Sequence, residues 1–168
     1  MAKRQVESVL IEIPKGSRNK YEYDKEKKVI KFDRMLFSSM VYPCEYGFFP
    51  ETLALDGDPL DAMVLTWEPT FPGCVIEVHP VALFDMQDDK GRDEKLLCVP
   101  KTDPLWNYIE TLEQVPPHLL KEITHFFGTY KSLENKKVEV FGWKGFKVAV
   151  KTLQEAKNRY LEQNKALK

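Results

Sequence analysis

The chain has 168 residues, 43% hydrophobic and 30% charged, with 25 basic and 26 acidic side chains and a formal net charge of −1. That composition is expected of one globular domain spanning residues 1–168. The near-neutral balance argues against a general nucleic-acid binder, and no apolar run reaches the ~18 residues that a membrane span needs. The opening residues Met1–Glu7 lack the apolar stretch of a secretory signal. Cys44, Cys74 and Cys98 are too few and too widely spaced for a disulfide framework or a paired-cysteine zinc site, so a reducing cytoplasm is the expected setting.

The first two-thirds of the chain reads as short strands. Val9–Ile13 alternates apolar and polar residues and stops at the turn signal Pro14-Lys15-Gly16-Ser17. Tyr21–Tyr23 and Val29–Phe32 flank a charged loop, Asp24–Lys28, as in a hairpin. Asp61–Trp67, Val75–Val78, Val81–Phe84 and Lys95–Val99 are further strands, the last ended by Pro100. Pro116-Pro117 opens an amphipathic helix whose apolar residues Leu119, Leu120, Ile123, Phe126, Phe127, Tyr130 and Leu133 recur at helical spacing. A strand at Val138–Phe141 precedes Gly142, and Phe146, Ala149, Val150, Leu153, Ala156, Tyr160 and Leu161 define a second helix. The pattern predicts an α+β domain, a small β-barrel with two helices packed on it.

Charge is segregated along the chain. Residues 1–50 carry 10 basic and 7 acidic side chains, residues 51–94 carry 2 and 11, residues 95–143 carry 6 and 6, and residues 144–168 carry 7 and 2. The strongly acidic middle repels itself unless the basic flanks or bound cations neutralise it. Its most informative string is Asp56-Gly57-Asp58-Pro59-Leu60-Asp61. Gly and Pro exclude a regular helix there, and Asp58 before proline is biased to an extended backbone. Residues two apart in an extended chain share a face, so Asp56 and Asp58 can point together, with Asp61 opening the next strand. An EF-hand loop is excluded, because the sixth and twelfth positions counted from Asp56 hold Asp61 and Trp67 where that loop needs Gly and Glu. An acidic polar turn and an oxygen-ligand site for a hard cation such as Mg2+ both remain. A second acidic group, Asp85, Asp88, Asp89, Asp93 and Glu94, surrounds Asp88-Asp89-Lys90-Gly91, which reads as a hairpin turn between strands over 75–87 and 95–99. His79, His118 and His125 read as structural or surface residues, and Trp67, Trp106 and Trp143 as packing residues.

Read together, these strings resemble the soluble inorganic pyrophosphatases of family I, bacterial type. Asp56–Asp61 is similar to the Asp-x-Asp-Pro-apolar-Asp signature of that family. Ile11-Glu12-Ile13-Pro14, Lys20-Tyr21-Glu22, Asp33-Arg34, Tyr42-Pro43-Cys44-Glu45-Tyr46-Gly47, Asp88 through Lys95, and Thr124–Phe127 with Tyr130-Lys131 resemble its other motifs, in the same order along the chain. The resemblance implies a five-stranded OB-like β-barrel with flanking α-helices and Mg2+-dependent hydrolysis of pyrophosphate to two phosphates. It also implies a homo-oligomer, a homohexamer in the bacterial branch, with neither nucleic-acid nor membrane partners.

The chemistry that the resemblance implies can be argued by residue. A P–O–P bond within an anion repels hydroxide, so its charge must be neutralised before attack. Bound metal does this and also lowers the pKa of a coordinated water from 15.7 toward about 7. By similarity, Asp56, Asp61 and Asp93 hold the metals nearest the attacking water, while Asp88, with Asp93, and Glu22 resemble ligands of further ones. Asp58 matches the general base, a weak one at an ordinary carboxylate pKa of about 4. Tyr46 matches a position beside the nucleophile. Lys20, Arg34, Lys95, Lys131 and Tyr130 match groups that grip phosphoryl oxygens, Arg being capable of doing so bidentately. Glu12 and Tyr42 are supporting residues. A phosphohydrolase of the same fold acting on nucleoside triphosphates, and a non-catalytic OB-type binding module, are the competing readings; no Gly-rich Walker loop is present.

Overall fold

The computed structural model describes residues 4–166. Its strands are β1 (Glu7–Ile13), β2 (Asn19–Asp24), β3 (Val29–Met35), β4 (Glu45–Phe48), β5 (Asp61–Val64), β6 (Val75–Asp88), β7 (Gly91–Arg92), β8 (Lys95–Pro100) and β9 (Glu139–Lys144). Helix α1 spans Pro117–Thr129 and α2 spans Phe146–Ala166. Five strands close a ring in the order β1-β4-β5-β8-β6, with β6 returning to β1. This is the OB-like arrangement expected, with two flanking helices. All of its pairings are antiparallel except β5 with β8, where Asp61 lies opposite Lys95.

Alternation explains how the ring packs. In β1, Val9, Ile11 and Ile13 are fully buried and the residues between them are not, the period of a strand with one core face. β5 and β8 are buried on both faces. Met63 and Leu97 join one apolar cluster with Phe84 and the α1 residues Ile123, Phe126 and Phe127. Ala62, Val64, Leu96 and Cys98 join another with Val9, Ile11 and the α2 residues Ala149, Leu153 and Ala156. Each helix therefore covers its own side of the ring.

Several expectations are corrected. Val75–Val78 and Val81–Phe84, read separately by their local pattern, belong to one strand of 14 residues, in keeping with the hairpin reading of a strand over 75–87. Pro80 lacks an N–H, yet the strand survives because the β6–β8 register shifts between Pro80 and Ala82. β4 was not foreseen. It is four residues long and contains Gly47, which lets it approach β1 closely: a Cβ at residue 47 would lie 1.9 Å from the Leu10 carbonyl oxygen. β5 ends at Val64, leaving Trp67 65% exposed instead of packed. Trp143 does pack, against Phe84 with ring centroids 4.9 Å apart. The first helix ends at Thr129; a single 3-10 turn, Ser132–Glu134, follows and leaves Leu133 exposed.

β2 and β3 form a separate two-stranded sheet, and neither strand contains a fully buried residue. Among the described residues, no helix is long and apolar enough to cross a membrane.

Candidate active site

The acidic loop before β5 is shaped by local hydrogen bonds. The Thr52 hydroxyl donates to the Phe49 carbonyl at 2.6 Å and accepts from the Leu60 N–H at 2.9 Å. The Ala54 N–H donates to the Asp58 carbonyl at 2.7 Å. Gly57 takes φ +90°, a conformation open to glycine, and the Asp56 carboxylate accepts from the Asp58 N–H at 3.0 Å. This tight turn presents Asp56 and Asp58 together, as their spacing predicted. The β6–β7 hairpin supplies the second acidic group. Its turn is held by Asp88, which accepts from the Lys90 N–H at 2.9 Å, and the Asp93 N–H donates to the Met86 carbonyl at 2.9 Å. Buried Asp85 braces the same hairpin from behind, accepting from both Arg92 and Lys144.

The two groups meet. A cavity of about 250 Å³ is lined by seven carboxylates, those of Glu12, Glu22, Asp56, Asp58, Asp61, Asp88 and Asp93. The same wall carries Lys20 and Lys131, with Tyr46 and Tyr130. Lys25 and Lys90 also line it. Each sits on a hairpin turn where charge pattern alone marks it as a solvated lysine, so sequence reasoning passed over both. Lys25 Nζ lies 3.3 Å from an Asp58 carboxylate oxygen, and Lys131 Nζ lies 2.8 Å from Asp88. Lys20 pairs with Glu22, its neighbour on the same face of β2.

Three expected residues stand behind this wall. Lys95 is 1% exposed, and its ammonium contacts Asp93 at 2.6 Å and both Asp61 and Tyr46 at 2.8 Å. The Tyr46 hydroxyl in turn donates to Asp61 at 2.5 Å. Tyr42 is buried between the rings of Tyr46 and Phe126. Arg34 turns toward Glu134, a carboxylate that the sequence reading missed. Of the histidines, His79 is buried with Nδ1 2.7 Å from the Gln5 carbonyl, while His118 and His125 are exposed.

Electrostatics follow from crowding acids in a partly dry pocket. Burial pushes Glu12 up to about 7, against the Tyr23 N–H that donates to it. Burial pushes Asp61 up to about 6 despite Lys95, and it raises Asp56 as well. Lys95 is itself desolvated, but Asp61 and Asp93 outweigh that and hold it firmly protonated. Asp88 is lowered, because Lys131 more than offsets its burial. Oxygen-only donors whose charge exceeds that of nearby ammoniums suit a hard divalent cation. Among the described residues no three of them already converge as a formed metal site; Lys95 bridges Asp61 and Asp93.

The sequence model of one family, described as Inorganic pyrophosphatase, matches residues 9–161. The inorganic pyrophosphatase of Methanosarcina acetivorans is 84% identical over 165 residues, covering 98% of each chain. The chain belongs to the inorganic pyrophosphatase family. It is accordingly a hydrolase of inorganic pyrophosphate. The inorganic pyrophosphatase of Geobacillus stearothermophilus is 48% identical, over 95% of this chain and 96% of that one. Among solved structures, the inorganic pyrophosphatase from Thermus thermophilus superposes with a TM-score of 0.91 at 44% identity, covering 95% of this chain and 94% of that chain. The Coxiella burnetii enzyme gives 0.90 at 43% identity, covering 93% and 95%.

Proposed function

We propose that pyrophosphate hydrolysis by this chain depends on Mg2+, uses Asp58 as general base and takes place in the cytoplasm. The observation that carries the reading is the convergence of seven carboxylates and several lysines on one cavity. An anion could not enter so acidic a pocket without cations, and the carboxylates raised by burial are those that a cation would relieve. Asp56, Asp61, Asp88, Asp93 and Glu22 would hold the Mg2+. When bound, Mg2+ supplies charge neutralisation for the substrate and makes a coordinated water more acidic.

The chain's own residues do the rest. Asp58, exposed at the cavity wall with Lys25 beside its carboxylate, is placed to take a proton from the attacking water. Tyr46 orients the Asp61 carboxylate through its hydroxyl. Lys20, Lys131 and Tyr130 donate to phosphoryl oxygens from the cavity wall, and Arg34 from the edge of the hairpin. Lys95, whose three ammonium protons already go to Asp61, Asp93 and Tyr46, adds its positive charge from beneath. Glu12 steadies the hairpin by accepting from the Tyr23 N–H at 2.7 Å, and Tyr42 supports the Tyr46 ring. Large apolar side chains more than half exposed, such as Phe32, Phe37, Trp67 and Phe71, support a homo-oligomer, which the resemblance puts at six copies.

Phosphate release tests this. Turnover of pyrophosphate but not ATP, present with Mg2+ and absent after chelation, is expected. Asp58→Asn should retain the fold and lose most turnover; full activity in that variant would remove Asp58 as base.

A further inference from the structure

We infer that Glu134 is a positioning residue for phosphate binding: it fixes the Arg34 guanidinium and ties the β2–β3 hairpin to the end of α1. The inference rests on the proposed role of Arg34 in gripping phosphoryl oxygens.

Glu134 is 6% exposed at its side chain, and its two carboxylate oxygens accept from Arg34 Nε at 2.9 Å and Nη2 at 3.0 Å. Arg34 Nη1 also donates to Asp33 at 2.5 Å. A guanidinium has five N–H groups, so three are engaged and two remain for a ligand. This two-point grip fixes the guanidinium plane as well as its position, which a single contact or a lysine could not do. Lys136 is the other cation near the carboxylate, at 3.9 Å.

The placement of Glu134 gives the contact its reach. It belongs to the 3-10 turn that directly follows Tyr130 and Lys131, where its N–H donates to the Lys131 carbonyl at 3.0 Å. Asn135 closes the turn in the left-handed region, at φ +57°. On the other side, Arg34 pairs in register with Lys20 across the β2–β3 ladder. The Arg34–Glu134 contact therefore links the β2–β3 hairpin that carries Lys20 to the chain segment that carries Tyr130 and Lys131, from behind the cavity lining. The hairpin has no fully buried residue; its packing on the ring comes from half-buried Tyr21 and Tyr23, and the Arg34–Glu134 tie adds a fixed polar anchor at its far end. A buried carboxylate near an anion site weakens the site's positive field. Its presence is explained if orientation of the arginine is worth more than the charge it cancels.

The test is a double-mutant cycle on the full chain with Mg2+, reading KM and kcat for pyrophosphate separately. Glu134→Gln is expected to raise KM by roughly tenfold, the range of one charge-assisted hydrogen bond, with kcat changed by less than about threefold. In an Arg34→Ala background the same substitution should leave KM unchanged, because it acts through the arginine. A merely structural role would lower the folded fraction, reducing kcat while leaving KM alone. Should Glu134→Gln fail to fold, Glu134→Asp, which keeps the charge but falls one methylene short, is read in the same cycle. Equal KM effects with and without Arg34, or none in either background, would overturn the inference while leaving the Arg34 role intact. An unchanged KM in Arg34→Ala alone would remove the Arg34 role, and this inference with it.

Discussion

Replacing Asp85 with asparagine is expected to loosen the hairpin that carries Asp88 and Asp93, at a cost that can be worked from its contacts. The Asp85 side chain is 1% exposed and accepts from Arg92 Nε at 2.6 Å, from Arg92 Nη2, and from Lys144 Nζ at 2.6 Å. Stranding a fully buried charge costs about 3–5 kcal/mol. Here the stranded partners, Arg92 and Lys144, are 39% and 41% exposed and can rehydrate. Glu94, which the Asp85 charge helps to push up after burial, would also be relieved. The expected loss is therefore nearer 2 kcal/mol, or about 4–8 °C in Tm for a chain of this size. Its pH dependence has a definite sign. Burial raises the Asp85 pKa, but Arg92 and Lys144 more than offset it and the net direction is down. A carboxylate lowered by folding contributes stability above its unfolded pKa of about 4 and loses it as pH falls through the folded value. The Tm gap between the parent chain and Asp85→Asn should thus be constant from about pH 8 to pH 5 and close toward pH 3. Thermal melts or urea titrations across that range would decide it. A gap of less than about 0.5 kcal/mol at neutral pH, or one that persists undiminished at pH 3, would refute the reasoning.

Gly47→Ala should unfold the chain or cost several kcal/mol, because the added Cβ would meet backbone atoms of Leu10 and Ile11 at 1.9 to 2.9 Å, and backbone cannot move aside as a side-chain tip can; a Tm within 2 °C of the parent would show that the strands can separate at little cost. Removing Lys25 and Lys90 together should slow capture of the anionic substrate at low ionic strength, lowering kcat/KM by about three- to tenfold, with the difference shrinking as salt screens the cavity mouth. An equal loss at all salt concentrations would mean that these lysines act by contact instead of by long-range attraction.

Much of this architecture could be read from residue pattern. Alternation in β1 and helical spacing in α1 point at the face that is in fact buried; in α2 the spacing finds the buried Ala149, Leu153 and Ala156 but also includes Phe146 and Leu161, which are exposed. Asp56–Asp61 stands out as a turn dense in carboxylates, and it is the family resemblance that separates it, and Asp88–Lys95, from ordinary solvated turns; residues of both line the same cavity. What was hidden depends on tertiary partners. β4 is too short, and too interrupted by Gly47, to show a period of two, and β6 runs through Pro80 with an extra residue, Val81, bulged against β8. The burial of Lys95 has no local mark: it follows from the pairing of β8 with β5, which sets Lys95 opposite Asp61 and beneath the cavity lining. Glu134 carries no local mark at all; its significance depends on Arg34, 100 residues away along the chain.

The β2–β3 hairpin has a consequence for how the molecule opens. Lys20, Glu22 and Arg34 ride on a flap whose links to the rest include the Glu12–Tyr23, Lys25–Asp58 and Arg34–Glu134 contacts and the Tyr23–Phe48 ring pair. Ionic links weaken in salt, whereas the apolar clusters of the ring do not. Amide hydrogens of residues 19–35 should therefore exchange with solvent through a low-energy local opening well before those of β5 and β8, and added salt should quicken the first set and spare the second. Such a result would make one side of the acidic cavity a cooperative unit of its own, opening and closing while the ring stays shut.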